Sequence, residues 1–170
     1  MKTTVKLVVV IVLFALCSNV SAQNIKLAHI NYNELIISMP EHDSAMVKMQ
    51  KYVQVLQTEM EALEVERNRK YEDFSKNQAN WTDIVRQSKE QEILQLNQRI
   101  ETFQQQAQES IQQKRSEFLQ PVQEKANKAI ETAAKEQGVT YVFDDQVLHF
   151  KAVGTLDLLP AVKKHLGITK

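Results

Sequence analysis

From Glu41 to Gln120 this chain contains neither glycine nor proline, and that gap limits the folds open to it. Glycine and proline are the residues that most often punctuate loops. Here the glycines are Gly138, Gly154 and Gly167, and the prolines are Pro40, Pro121 and Pro160. The stretch between Pro40 and Pro121 is rich in Gln, Glu, Lys, Met and Leu, all good helix formers. The sequence therefore predicts helix across nearly all of it.

Apolar spacing says what that helix does. Met46, Val53, Met60 and Phe74 recur on a seven-residue period, with Arg67 in the one polar slot. Met49, Leu56 and Leu63 each follow three residues later, and Lys70 comes next in that row. This is an a/d pattern, a narrow seam for one partner helix. The second half carries its own seam, Ile93, Leu96, Ile100, Phe103 and Ala107. Its phase then shifts by four, to Ile111, Phe118, Val122, Ala126, Ala129 and Ala133. A shift of that kind is a stutter, which locally unwinds a coiled coil.

The polar run Lys76-Asn77-Gln78-Ala79-Asn80 interrupts the pattern, and Thr82 before Asp83 has the chemistry of a helix N-cap with an acid in the first turn. A hairpin tip is expected at 77–82. Pro40 and Pro121 are then almost equidistant from it and would meet at the base of an antiparallel arm over 41–120. Ser38 to Glu41 fits a capping box, and Pro121 would kink its helix. About 40 residues per helix give an arm of roughly 60 Å.

The ends differ. Ile25 to Asn31 is a strand candidate. Gly138 suits a helix C-cap, with Val139 as the hydrophobic contact beyond it. Val139 to Phe143 and Val147 to Val153, joined by Asp144-Asp145-Gln146, read as a β-hairpin. Asp157 to Leu166 is a last short helix closed by Gly167. The expected fold is mainly α with a small β component (α+β). A long antiparallel coiled-coil hairpin would project from a β-containing body made of 23–40 and 121–170.

The N-terminus reads as a leader. Lys2 and Lys6 precede an apolar run from Leu7 to Leu16, and Val20-Ser21-Ala22 supplies small residues for cleavage before Gln23. That is the layout of a secretory signal peptide, and the run is shorter than the roughly 20 residues a spanning helix needs. A retained signal anchor is the plainer alternative. A lipoprotein is another, but Leu16 before Cys17 does not fit the small residue a lipobox requires. Cleavage after Ala22 would remove Cys17, the sole cysteine, so no disulfide would be available in an oxidising compartment. Loss of Lys2 and Lys6 leaves 19 basic and 21 acidic residues, which gives no reason to expect nucleic acid.

The order of these features resembles the Skp/OmpH-like periplasmic chaperones. Lys26-Leu27-Ala28-His29-Ile30-Asn31 looks like that family's first strand. Met39-Pro40-Glu41 matches the usual start of the arm helix, and Gly138-Val139 through Val142-Phe143-Asp144 looks like the return to the second strand. Leu156-Asp157-Leu158 with Val162 and Leu166 resembles the closing helix. There the family usually continues with Thr, whereas this chain has Leu159 and then Pro160. The resemblance implies a periplasmic homotrimer that uses no ATP or other cofactor. It would hold unfolded outer-membrane β-barrel proteins, its clients, in a cavity between three arms. Well-studied members are strongly basic and this chain is neutral, so no lipopolysaccharide site is carried over.

On this reading the arm seam is Met46, Met49, Val53, Leu56, Met60, Leu63, Phe74, Ile93, Leu96, Ile100 and Phe103. The methionines could instead serve as adaptable client contacts, but their a/d spacing favours the seam. Tyr71, Phe74 and Trp81 near the tip are candidate client contacts, although hairpin packing explains Phe74 better and Trp81 could equally be a tip staple. Ile25, Leu27, Ile30, Val142, Phe143, Leu148 and Phe150 are candidates for the trimer body. No enzyme is expected. His29, His42, His149 and His165 lack metal-ligand spacing, there is no phosphate-binding glycine loop, and the mature chain has no Cys nucleophile. The arms lack a basic amphipathic face, so membrane contact is at most peripheral. The competing reading is a structural coiled-coil spacer or adaptor of the cell envelope.

Overall fold

The computed structural model describes residues 25–168. The expected leader, its cleavage after Ala22 and Cys17 lie outside those residues. In chain order the elements are β1 (Leu27–Ile30), α1 (Tyr32–Ser38), α2 (Pro40–Asn77), a 3-10 turn (Gln78–Asn80), α3 (Asp83–Glu136), β2 (Tyr141–Asp144), a second 3-10 turn (Asp145–Val147) and α4 (Leu159–His165).

The paired rods of α2 and α3 dominate. Contacts between them run antiparallel: Glu41 pairs with Lys125, Tyr52 with Ser110 and Lys70 with Glu92, and Phe74 meets Trp81 in the connecting turn. The 38 residues of α2 correspond to about 57 Å. Thr82 is the N-cap of α3, its hydroxyl accepting from the Val85 N–H. Asp83 stands in the first turn, where a negative charge meets the positive end of the helix dipole.

At the start of α2 the expected capping box does not form. Met39 is the N-cap and makes no side-chain cap bond, and Pro40 occupies the first turn, where a missing N–H costs nothing. Ser38 instead ends α1, and its hydroxyl donates to the Leu35 carbonyl at 2.8 Å. The far end of α3 closes as expected. Gly138 sits at φ 64°, Val139 N–H bonds the Ala134 carbonyl at 2.9 Å and Gly138 N–H bonds that of Lys135 at 3.1 Å. This is the double closure of a Schellman motif. Lys26 Nζ adds a bond to the Gln137 carbonyl at 2.8 Å, a cation at the negative end of α3. Although Pro121 removes one backbone donor, α3 continues through it without a break in assignment.

The strands depart from expectation. β2 does not turn back into a hairpin with Val147–Val153; it pairs in parallel with β1, Leu27 opposite Tyr141 through Ile30 opposite Asp144. Short hairpin loops need a residue at positive φ, and among the described residues only glycines have one. The Asp144 carboxylate instead accepts from Gln146 N–H at 3.1 Å, which starts a 3-10 turn and leads the chain away. Parallel strands require a crossover, and here the crossover contains the whole arm. The other edge of β1 is covered too: His29 N–H bonds the Leu156 carbonyl, and Leu158 N–H bonds that of His29, both at 2.9 Å.

One core lies in the base. Ile30, Leu35, Met39, Leu158 and Val162 close over an alanine stripe on α3 formed by Ala126, Ala129 and Ala133. Small side chains on that stripe let α1 and α4 approach closely.

Candidate functional site

Two regions could do chemistry with a partner: the exposed side of the base and the arm. At the base, successive strand residues point to opposite faces. Ala28 and Ile30 therefore go inward, and Ile30 is buried in the chain's own core rather than offered to another chain, as the sequence had suggested. Leu27, Tyr141 and Phe143 go outward and are exposed. Leu27, Phe143, Leu148 and Phe150 line a nearly apolar groove of about 230 Å³. Phe150 is 83% exposed, and Ile25, Val147 and Val153 are exposed as well. Val142 is half-buried against the base core. Leu27, Phe143 and Phe150, uncovered around one groove, are the sort of apolar surface that a folded chain usually keeps for a partner.

A polar triad adjoins the groove, and two of its residues, His29 and Lys151, help line it. His29 is 6% exposed, and its Nδ1 is 2.7 Å from one oxygen of Asp145. Lys151 Nζ is 2.8 Å from the other. The Lys151 ammonium, and then the His29 ring, hold the Asp145 carboxyl below the usual aspartate range against the opposing effect of burial. Among the described residues no cluster of His, Cys, Asp and Glu is arranged to hold a metal. No described helix is long and apolar enough to cross a membrane.

Along the arm, the seam is closed in parts and open in others. Leu63, Leu96 and Ile100 are buried together, with Met60 and Phe103 packed on them, and Ile93 is buried nearby. Met49, Val53, Leu56 and Phe74 are half-buried. Met46 leaves the expected seam: it is 41% exposed, and its neighbour Ala45 is buried instead. The reason is that Ala45 joins the base core beside Leu35 and Met39, which turns the buried side of α2 by one residue there.

Towards the tip the seam becomes polar. Lys70, in a d position, reaches Glu92 on α3 at 2.7 Å, and the Lys70 ammonium lowers the Glu92 carboxyl below its usual range. Tyr71 accepts from the Asn97 side-chain amide at 3.1 Å. Phe74 and Trp81 stack edge to face with centroids 5.7 Å apart, so Trp81 acts as a staple across the tip while staying partly accessible. Ile84, one turn further on, is 81% exposed. The sequence reading had not singled out Ile84.

Midway along the arm is a furrow that was also missed as a site. Val53, Leu56 and Met60 on α2 and Phe103, Ala107 and Ile111 on α3 floor an open groove of about 480 Å³, with Gln57, Gln104 and Gln108 at its rim. The signal for it was the seam's change of phase at Ala107.

Comparison with known proteins places this geometry. The model of the family described as outer membrane protein (OmpH-like) matches residues 26–166. No curated protein matches the chain. Among solved structures, an OmpH-like protein of Caulobacter crescentus CB15, described as an outer membrane chaperone, superposes with a TM-score of 0.74. The two are 10% identical, and the match covers 84% of this chain and 83% of the other. At that identity the likeness is one of fold.

Proposed function

This chain belongs to the OmpH-like family of outer membrane proteins, and on that premise we propose that it is an ATP-independent holdase chaperone of the periplasm. Three copies would join through their bases. Their arms would surround an unfolded outer-membrane β-barrel protein and keep it from aggregating. The observation that carries this reading is the division of labour within the chain. Most buried side chains lie in the base, while between Ala45 and Val122 only Leu63, Ile93, Leu96 and Ile100 are buried.

An arm with so little interior is almost all surface. An unfolded barrel strand alternates apolar and polar residues and has no fixed shape to recognise. Many weak, adaptable contacts suit it better than one pocket, and Met and Gln side chains on long flexible stems supply them. The exposed apolar groove at the base supports assembly: Leu27, Phe143 and Phe150 would be buried between copies. Isolation between arms needs no nucleotide, and the client's own folding would release it.

A test is dilution of a urea-unfolded outer-membrane barrel into buffer with and without the purified protein. The expected result is loss of turbidity at about one trimer per barrel. A structural spacer would leave the turbidity unchanged, and that result would reject the holdase reading.

A further inference from the structure

We infer that the mid-arm furrow at Ala107 is a docking subsite for an extended, uncharged polypeptide segment with alternating apolar side chains. This deepens the holdase reading and rests on it. The seam is buried on the tip side, at Leu63, Leu96 and Ile100, and again on the base side, at Val122 and Ala126. Between them every floor residue, Val53, Leu56, Met60, Phe103, Ala107 and Ile111, is only half-buried. The opening coincides with the four-residue phase shift between Ala107 and Ile111, where side chains on facing helices fall out of step. The small Ala107 side chain leaves space that a larger seam residue would fill.

The lining identifies the occupant. No charged residue takes part, so the furrow has nothing to pair with a charged ligand. Its rim is three glutamines, whose amides both donate and accept. That matches a peptide backbone outside any sheet, which carries one free donor and one free acceptor per residue. The furrow follows the seam between two rods, a shape that takes an extended chain. Met60 and Phe103 provide a floor that can re-pack around different apolar side chains.

The experiment measures binding of a dye-labelled, urea-unfolded eight-stranded outer-membrane barrel to the full-length protein. Ala107→Leu fills the furrow while keeping a strong helix former. It is expected to weaken binding roughly fivefold, the scale of about one buried methylene group lost from the furrow, with oligomeric state and helical circular dichroism unchanged. Gln104→Glu combined with Gln108→Glu charges the rim without filling it and is expected to weaken binding too, which settles the matter if Ala107→Leu misfolds. A photo-crosslinker at Gln57 should form adducts with the barrel. Wild-type binding by the rim variant, or adducts only with a second copy of this chain or with added phospholipid vesicles, would overturn the inference and leave the holdase reading standing. Failure of the unaltered protein to bind the barrel would remove both.

Discussion

Asp145 is the residue whose environment makes the clearest solution prediction. Lys151 and His29 each approach one of its two oxygens, and they keep it ionised below the pH at which an ordinary aspartate takes up a proton. A depressed carboxyl pKa stabilises the folded state above the unfolded value. That advantage disappears as pH falls through the lower, folded value. Asp145→Asn should therefore flatten the acid side of a plot of urea midpoint against pH, at fixed chain concentration, relative to the parent protein. Superimposable acid limbs would show that the triad does not contribute. Glu41 has the same sign, through Lys125 at the foot of the arm. None of this was legible beforehand. His29 and Asp145 are 116 positions apart, and only the parallel pairing of β1 and β2 brings them together. By contrast, Thr82 and Gly138 could be read directly, because a cap depends on residues within one turn of it.

Among the elements, the long helices were the most legible and the strands the least. A heptad is a local pattern and survives whatever the rest of the chain does, so the partner seams and the stutter could be read from spacing alone. Strand pairing is a long-range choice. Val139 to Phe143 offered the right residue types but could not disclose that its partner precedes the arm, nor that Asp144 would start a 3-10 turn. The placement of Met46 failed for a related reason: the base core, not the partner helix, decides which side of α2 is buried there. Pro121 tests the arm at this scale. It lies inside α3, exposed, and leaves the Glu117 carbonyl without its helical donor. Pro121→Ala should restore that bond and raise stability by roughly 1–3 kcal/mol, read as a higher urea midpoint with slower amide exchange at the foot of the arm. An unchanged or lower midpoint would mean that the helix adapts to the proline without penalty, or depends on it.

At the scale of the whole molecule, the single chain leaves much apolar surface uncovered. Its base hides a small core and leaves Leu27, Phe143 and Phe150 uncovered, while its arm has almost no interior. Joining bases would resolve the first of these, and enclosing an unfolded chain would give the exposed arms something to cover. How copies would be arranged in the proposed trimer depends on contacts between chains, which heptad spacing in one chain does not encode. The most direct measurement is native mass spectrometry of the purified protein mixed with a urea-diluted outer-membrane barrel. The account predicts a dominant species of three chains of this protein and one barrel. Single chains, or trimers that carry no barrel, would contradict it.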